Sequence, residues 1–256
     1  MAPVWIPLPV DTHIAVIATE GARLASAAAS SDLDATIPTC PDWNMRDLVR
    51  HQGGVHRWAS SIVGTPRRQP WNVDLTDVVG QWPPDNQLVR WFKDGYDELV
   101  SVLLDAPSDL DCFTFLAAPS PLAMWARRQA HETTIHRVDA EGAVGSLSGI
   151  DPDIASDGID ELLSCFVTRR PTPSPTGEIA TIAVHTADTN DHWHLTVGQG
   201  PIVTRRKDAA ADVIVRGTAH DVYLFVWNRL DASSVHVEGN RDIVEWWKDR
   251  IRIHWS

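Results

Sequence analysis

The spacing of apolar residues changes near residue 170 of this chain, and that change constrains the fold more than any other feature. Up to about residue 168 apolar positions recur every three or four residues. From residue 179 they alternate, as in Ile179-Ala-Thr-Ile-Ala-Val-His185, Trp193-His-Leu-Thr-Val197 and Val213-Ile-Val-Arg216. The first period belongs to helices and the second to strands. Between them lies RRPTPSPTG, residues 169–177, whose prolines at 171, 173 and 175 suit neither a helix interior nor a central strand. A chain of 256 residues divided this way reads as a helical N-terminal domain followed by a mixed C-terminal one.

Four helices make up the first part. Residues 11–29 carry Ile14, Ile17, Leu24 and Ala27 at helical spacing after an Asp11/Thr12 cap, and Ser30-Ser31 closes the run. Residues 37–43, with Pro38 and Pro41, read as a loop. Asn44 then caps a helix over 45–63 on which Met45, Leu48, Val55, Ala59 and Ile62 keep an apolar stripe. After the polar, proline-bearing stretch 64–86, Leu88, Trp91, Phe92, Tyr96, Leu99 and Leu103 mark a third helix, and Pro119 to Pro121 opens a fourth that runs to about Asp139. Helices in succession joined by loops make a four-helix bundle, residues 1–150. Residues 151–256 read as a small α+β domain. It comprises a helix 153–168, the linker 169–177, short strands, helices 218–228 and 241–249, a strand 235–237 and a last run 251–254.

Composition excludes several classes. Thirty-four acidic against 22 basic residues give a formal charge of −12, which repels phosphate backbones and anionic headgroups, so neither nucleic acid nor a membrane surface is an expected partner. The first ten residues have no basic n-region, and no apolar stretch is long enough to span a bilayer. Cys40, Cys112 and Cys165 are odd in number and far apart, fitting a reduced, cytoplasmic protein and no cysteine-based zinc site. Twelve tryptophans are unusual; indoles need an apolar body and a partner for the N–H, so they pack cores or line a pocket, with Trp58, Trp125 and Trp227 as pocket candidates.

Chemistry is suggested by the helical histidines, whereas His185, His192, His194, His236 and His254 read as structural side chains in or beside strands. In HETTIH, Glu132 and His136 stand four apart, about 40° around a helix, and project from one face. His131 and His136 stand five apart, about 140°, so this is not the HExxH zinc-protease pattern. His51, three after Leu48 and four before Val55, lies on the buried stripe of the second helix, and His56 falls off that face. Gly53-Gly54 permits close approach of a helix or ligand. Spacing alone leaves two readings: a His51/Glu132/His136 metal site, or a surface Glu/His pair and a separate core histidine. Two imidazoles and one carboxylate leave an open position, the catalytic pattern for Zn²⁺, and also suit Fe²⁺, Ni²⁺ or Mn²⁺. Arg128 is the i,i+4 partner of Glu132, placed to pair with it either behind the site or on the surface.

The runs TCPDWNMRDLVRHQGGVHRWA and PLAMWARRQAHETTIHRVDAEGA, with DGIDELL, ADVIVRGTAHDVYLFVWNR and VHVEGNRDIVEWW downstream, resemble the mycothiol-dependent maleylpyruvate isomerase family over the whole chain. The resemblance implies a DinB-like metal-binding bundle with a sterol-carrier-like α+β domain. It also implies zinc held by His51, Glu132 and His136, with mycothiol, an actinobacterial thiol, as cosubstrate. Coordination to Zn²⁺ deprotonates a thiol and fixes it as a nucleophile. In an isomerase the thiolate would add to an activated cis double bond, permit rotation and leave; in an S-transferase it would stay attached. Arg229, at the end of Tyr223-Leu-Phe-Val-Trp-Asn-Arg, resembles an arginine that isomerases of this family carry; it would hold an anionic substrate, or else only cap its helix. The expected reading is a cytoplasmic enzyme, monomeric or homodimeric, acting on a small electrophilic or anionic substrate. Its rivals are an S-transferase, a metal-dependent hydrolase, and a non-enzymatic protein that binds metal and an apolar ligand.

Overall fold

The computed structural model describes residues 7–70 and 74–252. They fall into two units, residues 8–148 and residues 149–252, each held by its own contacts.

In the first unit, α1 (Val10–Ala29) starts one residue earlier than the sequence suggests and has no side-chain cap. Pro9 has φ −57°, already suited to a helix entrance, and its carbonyl accepts from the backbone N–H groups of Thr12 and His13. Asp11 and Thr12 therefore lie inside the first turn, where the Asp11 charge favours the helix dipole. Residues 37–43 are not simply a loop. β1 (Thr36–Ile37) and β2 (Cys40–Asn44) form an antiparallel ribbon turning at Pro38-Thr39. Pro41 is tolerated because a two-stranded ribbon has an unpaired edge on each side.

α2 (Met45–Gly64) begins as expected. The Asn44 side chain accepts from Asp47 N–H while the Asp47 carboxylate accepts from Asn44 N–H, a complete capping box. The polar stretch that follows contains a short α3 (Leu75–Val79), capped by Asp74. α4 (Asp85–Asp105) buries Leu88, Phe92, Tyr96, Leu99 and Leu103, the stripe read from sequence. Gly53 admits an α4 side chain: a Cβ there would run into the Trp91 ring. At Gly54 the neighbour is Leu75 of α3. The glycine pair thus serves close packing between helices.

α5 (Pro121–Ala143) is capped by Ser120, whose hydroxyl accepts from Ala123 N–H, and has proline in its first turn. It runs one turn beyond Asp139 because Glu141 is anchored by Arg137 at 2.9 Å and by Ser148, which closes the chain back over the helix end. α5 packs on α1 and α2, and α4 packs on the same two helices, completing a four-helix bundle.

In the second unit, α6 (Pro152–Asp160) continues as a π-helical turn over Glu161–Phe166 rather than as one α-helix to residue 168. Residues 169–177 form no helix, and Pro171 makes a single bridge to Pro201. The strands β3 (Ala180–Thr186), β4 (His192–Val197), β5 (Val203–Arg205), β6 (Val213–Gly217) and β7 (His236–Gly239) form one sheet of order β5-β4-β3-β6-β7. Only the β3–β6 pair is parallel. α7 (Ala219–Val226) and α8 (Arg241–Arg250) cover one face, where Phe225, Val226, Ile243 and Trp247 meet Ile182, Val184, Val213 and Val215 around a cavity of about 10 Å³. The expected last run, 251–254, is not a strand at Ile251 and Arg252; residues 253–254, including His254, lie outside the described residues.

The three tryptophans named as core or pocket residues all make packing contacts, with Trp58 half-buried. Trp125 is fully buried and donates to the Phe113 carbonyl, Trp58 packs edge-on against Trp125, and buried Trp227 donates to the Gly158 carbonyl.

Candidate metal centre

The capping box at Asn44 starts α2 in a register that turns His51 toward α5, where Glu132 and His136 occupy successive turns of one face. The three side chains meet: Glu132 Oε1 lies 3.5 Å from His51 Nε2 and 3.3 Å from His136 Nε2. All three donor atoms lie within 4.8 Å of one another. Glu132 and His136 are 3% and 5% exposed, so the surface-pair reading of these residues fails.

Each ligand is held from behind. Arg128 donates to Glu132 Oε2 at 2.7 Å, leaving Oε1 toward the histidines. Asp139, fully buried, accepts from His136 Nδ1 at 2.9 Å, which fixes the ring with Nε2 toward Glu132. Asp139 is itself positioned by the Thr39 hydroxyl at 2.5 Å, with Cys40 Sγ 4.0 Å away, both from the β1–β2 ribbon. Trp43, from the same ribbon, covers both rings, its centroid 4.8 Å from that of His51 and 5.9 Å from that of His136.

Charges follow from this arrangement. Burial alone would favour the neutral acid at Glu132, but Arg128 and the two histidines hold its carboxyl well below the usual range, so it is ionised. Burial also opposes charge on His136, yet the hydrogen bonds to Asp139 and Glu132 outweigh it and raise that ring above its ordinary value. His51, with Glu132 as its main offset to burial, is pushed down. A centre that favours a proton on His136 despite burial favours a cation.

This donor set fits a divalent metal. Ligands at about 2.0–2.1 Å in a tetrahedron stand about 3.3 Å apart, matching both separations from Glu132 Oε1. The His136 Nδ1–Asp139 contact is the carboxylate–histidine support that metal-binding imidazoles typically have.

Other expected residues lie elsewhere. His56 is buried behind the centre, bonded to Gln52 and to the Thr133 hydroxyl at 2.9 Å. His131 is buried with its ring against that of His13. Arg229 follows α7 in the other unit, and its Nη1 donates to the Trp227 carbonyl at 2.9 Å. Asp139 and Trp43 were not singled out from sequence. Asp139 has a signal there, an acid three residues after a candidate ligand on a helix, whereas Trp43 has none, because its place depends on the ribbon.

Comparison with known proteins identifies the family. Residues 14–141 match the mycothiol maleylpyruvate isomerase N-terminal domain and residues 153–245 match the MDMPI C-terminal domain. The fold is similar to the crystal structure of the mycothiol-dependent maleylpyruvate isomerase, with a TM-score of 0.63 and 13% identity over 90% of this chain and 93% of that one. A His-to-Ala mutant of that enzyme gives a TM-score of 0.64 at 12% identity over the same shares. No curated protein sequence matches the chain. The two domain matches span most of the sequence, and the chain belongs to the mycothiol maleylpyruvate isomerase family of enzymes.

Proposed function

We propose that this enzyme uses mycothiol as a thiol cosubstrate and zinc held by His51, Glu132 and His136, and that it isomerises a maleylpyruvate-like cis diacid or transfers the thiol to an electrophile. The observation that carries this reading is the convergence of the three donor atoms within 4.8 Å of one another, with Glu132 Oε1 at 3.5 and 3.3 Å from the two imidazole nitrogens. Bound zinc would supply a Lewis acid that deprotonates a thiol at neutral pH and fixes it as a nucleophile. The remaining work falls to the chain's own side chains. Arg128 keeps Glu132 charged and directs Oε1 into the centre. Asp139 keeps the His136 proton on Nδ1, so that Nε2 presents a lone pair. Trp43 covers one side of both imidazoles and keeps water from that side.

Arg229 is proposed to bind the substrate carboxylate. It follows α7, with Nη1 donating to the Trp227 carbonyl at 2.9 Å, and its planar fork suits two-point recognition of a carboxylate. The apolar-ligand alternative is disfavoured by the C-terminal core, where about 10 Å³ between sheet and helices has room for little more than one water.

The test is incubation of zinc-loaded protein with mycothiol and a panel including maleylpyruvate and simple electrophiles, followed by mass and isomer analysis. Isomerisation leaves the substrate mass unchanged, and S-transfer adds the thiol. Full turnover without thiol would refute the reading and indicate hydrolysis or another thiol-free reaction.

A further inference from the structure

A second cluster of metal-type side chains lies in the C-terminal unit. His185, near the end of β3, and His192, at the start of β4, are direct partners across the antiparallel pair. Their rings meet edge to face with centroids 4.4 Å apart. The segment after β5 brings Asp208 over them, its Oδ1 3.5 Å from His185 Nε2. One donor atom from each of the three lies within 4.8 Å of the others.

The unusual feature is polar and buried. His185 is only 7% exposed, and its Nε2 has no hydrogen-bond partner; the same holds for His192 Nδ1. Buried ring nitrogens are normally paired, because a buried polar atom without a partner forfeits its hydration. Two such nitrogens in touching rings, with a carboxylate 3.5 Å from one of them, have a common explanation in a shared cation. Burial, then the neighbouring His192, push His185 toward its neutral form, which is the form with a lone pair to give. Arg216, on β6 beside His185, opposes a cation and weakens the site without blocking it, since its side chain stands in solvent. Asp208 is largely exposed, so an ion can enter from its side and water can complete the coordination.

We propose that His185, His192 and Asp208 form a second metal site, separate from the bundle centre, which takes a borderline divalent ion such as Zn²⁺, Co²⁺ or Ni²⁺ rather than Mg²⁺ or Ca²⁺. Two imidazoles with one carboxylate set that preference. The ion ties β3, β4 and the segment carrying Asp208 together at one end of the sheet.

Co²⁺ titration of the metal-free full-length protein tests it, with bound metal counted by equilibrium dialysis and coordination read from the visible spectrum. The wild type should bind two ions per chain. Glu132→Gln/His136→Ala should keep one, and His192→Asn should also keep one. Asp208→Asn, at an exposed position, should weaken the second site about tenfold or more while leaving the fold untouched. No ion in the bundle double variant, or as many ions in His192→Asn as in the wild type, would each overturn the proposal. Loss of the bundle ion alone would refute the functional reading and leave this one standing.

Discussion

Asp139→Asn isolates the hydrogen bond that orients a ligand from the ligand itself. The side chain is fully buried, accepts from His136 Nδ1 at 2.9 Å and receives the Thr39 hydroxyl at 2.5 Å. Asparagine keeps the shape and an acceptor oxygen, so it removes chiefly the charge. Supporting partners of this kind change metal affinity by about 10–100-fold, or about 1.4–2.7 kcal/mol. At a zinc concentration 100 times the wild-type Kd, metal stabilises the native state by about 2.7 kcal/mol, and with Kd raised by that factor the same zinc supplies only about 0.4–1.4 kcal/mol. The assay pairs competition with a chromophoric chelator for Kd against the zinc-dependent rise in Tm. Metal-free Tm should change less than this zinc-dependent increment, because Thr39 can still donate to the amide oxygen. Wild-type zinc affinity in the Asn variant would refute the orienting role, and an equal fall of Tm with and without zinc would show that Asp139 serves packing alone.

Other expectations follow from the same geometry. Purified protein should carry zinc in the bundle centre, and His51→Ala, Glu132→Gln and His136→Ala should each empty it and cancel its contribution to Tm, as measured by elemental analysis and thermal melts. His56, held at about 3 by burial, titrates near 6.5 when unfolded, so its contribution is present above pH 6.5 and is lost as pH falls from there toward 3. Between pH 7 and 5 that amounts to about 2 kcal/mol of lost stability, which His56→Gln should abolish; parallel pH profiles in urea melts would count against it. Arg229→Ala should lower kcat/KM by about 10²-fold with zinc content unchanged, and lysine should rescue little, because a two-point grip on a carboxylate needs the planar fork. If turnover is unaltered and only Tm falls, Arg229 is a helix cap.

What the sequence disclosed and what it withheld divide along physical lines. The Glu132/His136 pair was legible because side chains on a helix obey fixed angles, which put both on one face, whereas spacing alone left open whether His51 joins them. The stripes of α2 and α4 and the alternation of β3 and β4 were legible for the same reason. The ribbon was not: pairing of Thr36 with Asn44 and Ile37 with Cys40 is a register irregularity in a stretch holding two prolines, with no period to read. Trp43, Thr39 and Cys40 reach the centre only through that ribbon. The π-turn at Glu161–Phe166 is equally silent, since it adds one residue to a turn without changing which residues are apolar. α3 is five residues long and buries none of them, and its one signal is the Asp74 cap.

α5 shows why the pairing of Glu132 with His136 invited a surface reading. Every residue from Met124 to Glu141 is buried, including Arg127, Arg128, Gln129, His131, Glu132, Thr133, Thr134, His136, Arg137, Asp139 and Glu141. A helix so polar has no apolar stripe to reveal an inward face, and polarity in sequence ordinarily signals solvent. Burial is sustained here by partners on neighbouring elements: Arg137 joins Glu20 of α1 at 2.5 Å and Glu141 at 2.9 Å, and Thr133 bonds His56 of α2. Thr133 and Thr134 return their hydroxyls to carbonyls of their own helix. The ligand face and the anchoring faces therefore belong to one network, in which Glu132 and His136 cannot turn outward without giving up their buried bonds to Arg128 and Asp139. Placing the ligands on such a helix fixes their directions before any metal arrives, and a site preorganised in this way loses little binding energy to reordering.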